Sequence, residues 1–154
     1  MKKIIFNLFA VLAISCSFVA CGDDDNDYKF DFSASEGSAG TYVGTYSKVL
    51  DGSDEAPVVG EGTITLTATA EADVTQVAFD CPTCSISAQS IANVTHANKG
   101  YIINNQLVSA DNTLGVSFAG KIYDNGAMKV TFSTSEKVGR KNYTYNYTFE
   151  GTKR

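Results

Sequence analysis

The segment 142–149 alternates strictly between two kinds of side chain. Tyr143, Tyr145, Tyr147 and Phe149 occupy every second position, and an asparagine or a threonine precedes each of them. Because successive side chains of a β-strand point to opposite faces, this period of two predicts a strand with one aromatic face and one polar face. A helix would spread the same rings around its circumference, so the pattern argues against a helix.

The same period recurs from residue 40 onward and indicates an all-β domain. β-Branched and aromatic residues fill these runs in place of the residues that favour helices. Turn residues separate them, and Asn125-Gly126 is the strongest hairpin signal, since a type I′ turn needs positive φ at both central positions. Only residues 85–98 are ambiguous, because they could also hold a helical turn. The eight runs lie at 42–47, 61–70, 77–79, 86–88, 101–110, 114–122, 128–133 and 142–149.

Eight antiparallel strands with one apolar face favour a closed barrel over a sandwich. Most of the runs follow one another through short turns, whereas a Greek-key sandwich usually needs longer crossing connections than the loop at about 50–60. A barrel of about eight strands has an interior just large enough to be filled by side chains or to hold one small ligand. The sequence therefore predicts an eight-stranded antiparallel up-and-down barrel over residues 40–154.

Residues 1–20 have the composition of an export signal. Lys2 and Lys3 precede an apolar run that is short of the ~20 residues needed to span a bilayer, and small residues gather at its end. Their removal takes away two lysines and no acid, which moves the net charge from −5 to −7. Residues 22–39 hold six acids, one base and little apolar surface, so we expect residues 21–39 to form a flexible tether. With no basic stripe in the chain, nucleic acid is not an expected partner.

The end of the signal, FVACG at residues 18–22, resembles the lipobox of bacterial lipoproteins. This resemblance implies that Cys21 is acylated, with chains such as palmitate, and becomes the new N-terminus. The acidic DDDND at 23–27 is similar to the export signal of surface lipoproteins in the Bacteroides group; the alternative is a solvated charge run. Several acyl chains anchor a protein stably. We therefore expect a lipoprotein held at the outer membrane through Cys21 and exposed on the cell surface.

Two short motifs at the ends of the predicted barrel extend the resemblance. GTYVGTY at 40–46 and YTFEGTK at 147–153 look like the opening and closing strands of the calycin-like barrel lipoproteins of Bacteroides-type bacteria. The resemblance spans roughly residues 40–154 and implies a lipocalin-like barrel with an apolar ligand. Members of this family are described as lipid-binding or hydrolytic, without a settled set of catalytic residues.

Aromatic side chains are the candidate ligand-binding residues. Closure of the barrel would place the tyrosines of the first and last strands side by side, with two phenylalanines nearby. Three interpretations stay open: a filled core, a pocket in which tyrosine hydroxyls orient an apolar ligand, and an outward binding strip. Two functions are therefore expected as alternatives. The domain binds a small hydrophobic or lipid-like ligand, or it is an interaction module of an envelope complex with a filled barrel. The candidates are Tyr42, Tyr46, Phe118, Phe132, Tyr143, Tyr145 and Tyr147.

Catalysis is the least favoured class of function. A Ser-His-acid mechanism needs a histidine base, and the single histidine, His96, lies beside a predicted turn where we expect it to be exposed. The carboxylates of the domain fall mostly near turns, where they are normally solvated. A hydrolase acting on a lipid-like substrate is therefore a distant third hypothesis, and we expect no catalytic residues, no metal site and no cofactor.

The Cys-x-x-Cys motif CPTC at 81–84 is predicted to be a local disulfide. Cys16 leaves with the signal and Cys21 is acylated, so Cys81 and Cys84 are the remaining pair. Zinc would need two further ligands, and a redox centre would need a helix N-terminus, yet strand patterns flank the motif. Pro82 presets a turn that brings its ends within bonding range, and thiols are oxidised outside the cytoplasm. From the loop-closure entropy of so short a loop, we expect this disulfide to stabilise the fold by about 2 kcal/mol.

Overall fold

The computed structural model describes residues 31–104 and 118–154, which form a closed β-barrel. Eight antiparallel strands follow one another around it in chain order, and the last pairs with the first. One five-residue helix precedes the first strand, and a 3₁₀ turn, Pro82–Cys84, joins the third to the fourth. The elements are α1 (Ala34–Ser38), β1 (Gly40–Leu50), β2 (Val58–Ala68), β3 (Val74–Cys81), β4 (Ile86–Ala97), β5 (Gly100–Asn104), β6 (Phe118–Tyr123), β7 (Ala127–Val138) and β8 (Lys141–Lys153).

This architecture confirms the predicted all-β fold and the eight-stranded antiparallel up-and-down barrel. The ambiguous residues 85–98 are mostly strand, so the helical turn considered there is wrong. β4 is a strand because it pairs along its length with β3 and β5, and every second side chain from Ser90 to Val94 is buried. The predicted runs at 101–110 and 114–122 lie partly at 105–117, outside the described residues.

The hairpin between β6 and β7 forms as predicted, but its turn is not the type I′ turn that Asn125-Gly126 indicates. Gly126 has a φ of +81°, whereas Asn125 keeps a negative φ. The loop is three residues long, and the Asn125 side-chain oxygen accepts a hydrogen bond from the Ala127 N–H at 3.0 Å. Three-residue hairpin loops place only their last residue in the left-handed region, which accounts for a single glycine there.

Two glycines allow β1 and β8 to close the barrel. Gly44 and Gly151 lie opposite each other in the middle of this strand pair. A Cβ added to Gly44 would lie 2.7 Å from the carbonyl carbon of Glu150 and would overlap its oxygen. Ordinary contacts to a Cβ are 3.4–4 Å, so only glycine permits this approach of the two backbones. The two motifs that carried the family resemblance are thus the strands that close the barrel.

The barrel interior is filled with large apolar side chains. Tyr42, Tyr46, Phe79, Phe118 and Phe149 are all less than 2% exposed. The rings contact one another: Phe79 meets Phe118 edge-on at 5.3 Å between centroids, and Tyr46 meets Phe149 at 4.8 Å. Such tilted and edge-to-face pairs add to the stabilisation from burial itself. The apolar face of each strand predicted from its period is therefore the inward face.

Helix α1 covers one end of the barrel, here called the helix end. Ser33 and Glu36 form a capping box, in which each side chain accepts from the backbone N–H of the other residue. The Ser35 hydroxyl donates to the carbonyl of Val74 at 2.6 Å, and Lys153 donates to the carbonyl of Gly37 at 3.3 Å. These bonds hold the helix to strands β3 and β8.

This helix corrects the predicted flexible tether at residues 21–39 for its last part only. Residues 34–38 lie within that segment, but Ala34, Ser35 and Ser38 are buried against the barrel. Their small side chains allow close packing, and the capping box satisfies the first N–H groups of the helix. The rest of the tether before residue 31, Cys21 and the signal lie outside the described residues.

Residues 31–154 make up one compact unit. Both edges of each described strand are paired within this unit, and its core residues all come from it. It therefore has the elements needed to fold independently. In the described part of the chain, no helix has the length and apolar character required to span a membrane.

Candidate functional site

Five of the seven candidate ligand-binding residues are buried in the core. Tyr42, Tyr46, Phe118, Phe132 and Tyr147 are each at most 4% exposed. Phe132 stacks on Tyr147, with 4.7 Å between ring centroids and 4° between the ring planes. For these five side chains the filled-core interpretation fits the structure best, because their surfaces are already covered by protein.

The two deepest tyrosines already use their hydroxyl groups within the protein. Tyr42 donates to the carbonyl of Ser38 at 2.7 Å, which ties the first strand to helix α1. Tyr46 donates to the carbonyl of Thr63 at 2.7 Å. Burial raises the pKa of Tyr42 to about 12 and also raises the pKa of Tyr46. Neither hydroxyl is in a position to orient a ligand, so this part of the predicted pocket has a structural role.

Tyr143 and Tyr145 differ from the other candidates because they are only half-buried. They continue the inward face of β8 beyond Tyr147 toward the end of the barrel opposite α1, here called the far end. At this end β1 finishes at Leu50 and the 3₁₀ turn Pro82–Cys84 joins β3 to β4. Within the described residues the hydroxyls of Tyr143, Tyr145 and Tyr147 have no hydrogen-bond partner in the protein. The aromatic row therefore runs from a covered core to an accessible rim.

Lys48 is a candidate residue that sequence reasoning missed. It lies on β1 in phase with Tyr42 and Tyr46, so its side chain starts on the inward face. Its ammonium nitrogen is 4.3 Å from the ring centroid of Tyr145 and 5.7 Å from that of Tyr147. It also donates a hydrogen bond of 3.3 Å to the carbonyl of Cys84. The alternation of β1 was the available signal, since a lysine in phase with buried tyrosines has to point inward.

Cys81 and Cys84 flank the 3₁₀ turn beside this lysine, and both are buried free thiols in the structure. Burial, and next a hydrogen bond with the Cys81 thiol, raise the pKa of Cys84 to about 11. A thiol with a raised pKa forms little thiolate at neutral pH and reacts slowly. This environment does not suit a catalytic cysteine. The predicted disulfide is not formed in the structure and stays a prediction for the exported protein.

Two cavities lie along the barrel wall, away from the far end. One, of about 310 Å³, is lined largely by outward residues of β2, β3 and β4, including Thr67, Gln76 and Gln89. The other, of about 390 Å³, lies on β6, β7 and β8 around Thr131 and Asn146. The second is also lined by Phe118, Phe132 and Tyr147, three candidate rings that are each at most 4% exposed, and neither lining includes a charged side chain. These grooves are weaker candidate sites than the far end.

His96 lies on β4, and the centroid of its imidazole is 5.3 Å from the centroid of the Tyr101 ring. The residue is exposed, as expected from the sequence, although it belongs to a strand and not to a loop. Among residues 31–104 and 118–154, no group of three or more His, Cys, Asp or Glu side chains is placed to hold a metal ion.

Comparison with known proteins gives no match to a protein-family model, to a curated protein or to a solved structure. The eight-stranded antiparallel barrel itself is consistent with a calycin-like fold.

Proposed function

We propose that the barrel domain binds a small hydrophobic or lipid-like ligand at its far end. The observation that carries the proposal is the difference between the two ends. Helix α1 covers one end through direct hydrogen bonds to the barrel, including the bond from Tyr42 to Ser38. The far end instead presents the half-buried rings of Tyr143 and Tyr145 beside Lys48. Apolar rings with a few convergent polar groups are typical of small-molecule sites.

The filled interior limits how far such a ligand enters. Tyr46, Phe118 and Phe149 are fully buried and occupy the middle of the barrel. An apolar chain would therefore pack against the rim tyrosines of β8 and would not thread through the barrel. We accordingly propose a shallow site with modest affinity, in contrast to the deep cavity of a carrier.

We also propose that the domain is held at the outer membrane, on the cell surface, through an acylated Cys21. The sequence resemblance at residues 18–27 is the support for this proposal, and the compact barrel at 31–154 suits a tethered domain. Metabolic labelling with an alkyne analogue of palmitate should tag the protein, and Cys21→Ser should remove the tag. Equal labelling of both proteins would contradict the anchor.

A second candidate function is a non-enzymatic interaction module in an envelope complex. The observation in its favour is the same filled interior, since a barrel packed with buried rings needs no ligand to be complete. The interaction module and the binder share the fold and the anchor, and they differ in whether the far end takes up a small molecule. We propose no catalytic role for either.

A neutral fluorescent probe separates these two functions. The chain beginning at Gly22 is titrated with N-phenyl-1-naphthylamine, whose emission rises in an apolar site. We expect a saturable rise that fits one site. Replacement of both rim tyrosines, Tyr143→Ser with Tyr145→Ser, should weaken binding about tenfold, since two ring contacts of ~0.5–1.5 kcal/mol are lost.

Tyr123→Ser is the matched control, because Tyr123 is 40% exposed and outward on β6. It should leave the titration unchanged. Absence of any saturable rise, together with no bound small molecule in native mass spectrometry, would contradict the binding function and favour the interaction module. A loss in the control as large as in the rim variant would place the probe elsewhere.

A further inference from the structure

We propose that the far end is a recognition site for the carboxylate head of a small amphipathic anion, with Lys48 as the residue that binds the carboxylate. This inference rests on the proposed function, because it names the chemistry of the ligand at that same site. Lys48 is an unusual residue in the barrel, because its charged side chain starts on the inward face of a strand.

The position of Lys48 in β1 fixes its direction. Tyr46 precedes it by two residues and Tyr42 by six, so all three share one face of the strand, and both tyrosines are completely buried. Lys48 continues that face one step further toward the far end and is half-buried. Removal of an ammonium group from water carries an energetic cost unless other groups compensate. A half-buried lysine therefore needs hydrogen-bond acceptors, aromatic rings or anions close to its ammonium group.

Its partners within the described chain are electron-rich but uncharged. The ammonium lies over the face of Tyr145 at 4.3 Å, within the range of a cation–π contact, and donates to one backbone carbonyl at 3.3 Å. Across residues 31–104 and 118–154 there is no carboxylate within ion-pair distance of this nitrogen. The rings and the carbonyl hold the ammonium in place without neutralising it.

Asp51 and Glu136, two acids near the far end, are directed elsewhere. Asp51 accepts a hydrogen bond from the Asn146 side chain at 3.2 Å, and Asn146 is on the outward face of β8. Glu136 shares the inward phase of β7 but lies beyond Thr134 on the exposed part of the hairpin. Because no carboxylate among the described residues pairs with Lys48, its positive charge can attract an anion that enters beside the tyrosines.

An ammonium group has three donors, of which one is used by Cys84. The hydroxyls of Tyr143, Tyr145 and Tyr147, which have no partner among the described residues, are further donors on the same row. One cation with neutral donors suits a single negative charge, as on a carboxylate, better than the multiple charges of a phosphate. The half-buried rings of Tyr143 and Tyr145 would cover the apolar part that follows the head group.

The test compares two probes that differ only in the head group, decanoate and 1-decanol, by competition with the bound naphthylamine probe. Decanoate should bind at least tenfold more tightly, as expected for a charge-assisted hydrogen bond in a partly desolvated site. Lys48→Met keeps the apolar stem and removes the charge. It should weaken decanoate binding about tenfold and change decanol binding less than twofold.

Lys121→Met is the matched control. Its ammonium also lies over a tyrosine ring, at 5.0 Å from the centroid of Tyr123, but away from the far end. It should leave both affinities unchanged. Lys48→Arg should keep the preference for decanoate.

Equal binding of the two probes to the unaltered protein would overturn the inference, and this result does not depend on whether Lys48→Met folds. A preference for decanoate that survives in correctly folded Lys48→Met would overturn it as well. In both cases binding of the neutral probe would leave the proposed function standing, whereas absence of all binding would remove the proposed function itself.

Discussion

A single methyl group added between β1 and β8, where the barrel closes, should cause a large loss of stability. The substitution is Gly44→Ala, at the centre of the pair in which Gly44 faces Gly151. The new Cβ would lie 2.7 Å from the carbonyl carbon of Glu150, at least 0.7 Å inside the ordinary range of 3.4–4 Å. The obstructing atoms belong to a paired backbone and cannot rotate away, so the two strands have to separate.

Overpacking of a tight site costs about 1–3 kcal/mol, and a backbone obstacle places Gly44→Ala at the upper end, about 3 kcal/mol. For a domain of this size the melting temperature falls by roughly 4 °C for each kcal/mol, which gives a decrease of about 12 °C. Thermal unfolding of the chain from Gly22, followed by far-ultraviolet circular dichroism, measures this decrease.

Gly52→Ala is the control substitution. Gly52 has a φ of +71° but open space around it, with no atom within 4 Å of an added Cβ. Only the left-handed conformation opposes this change, at a cost of about 1 kcal/mol. If Gly44→Ala lowers the melting temperature no more than Gly52→Ala does, the two strands do not approach each other as closely as the closed barrel requires.

Three further predictions concern titration, thiol chemistry and the helix. The pKa of Tyr42 is raised to about 12 from 10.0, so the folded state favours the neutral phenol. The stability that this phenol contributes should be fully present below pH 10 and should fall as the pH rises toward 12. Tyr42→Phe should reduce that loss, as measured by urea unfolding at several pH values. In the exported protein, titration of the unfolded, non-reduced chain should find no free thiol from Cys81 and Cys84, and reduction should cost about 2 kcal/mol; two thiols per chain would refute the disulfide. Ser33→Ala removes the capping box and should destabilise α1 by about 1 kcal/mol, seen as faster hydrogen exchange at the Ser38 amide without change in β4; equal exchange in both proteins would contradict the cap.

The strands could be predicted from the sequence because each has one buried face in a small closed barrel. In β8, for example, the side chains at 143, 145, 147 and 149 point inward, and a slip of one residue would expose all of them. The period of two is therefore enforced by burial. The position of the hairpin at 124–126 could be predicted but its turn type could not, because the turn residues fit both two-residue and three-residue loops.

The helix and the lysine were not predicted, for different physical reasons. The residues of α1 are small and polar like those of a linker, and their order depends on tertiary contacts such as the bond from Ser35 to Val74. The Ser33 to Glu36 spacing of a capping box was the local signal. Lys48 was missed because charged side chains are usually assigned to the solvent face. Its position in β1, in phase with Tyr42 and Tyr46, places it on the inward face.

The far-end site is tested most directly by a crystal structure of the chain from Gly22 soaked with decanoate. We predict that the carboxylate lies about 3 Å from the Lys48 ammonium, as in charge-assisted hydrogen bonds, with the alkyl chain against Tyr145. Decanoate bound only in the outer groove at Gln76 and Gln89, or no decanoate at the far end, would contradict the proposed site.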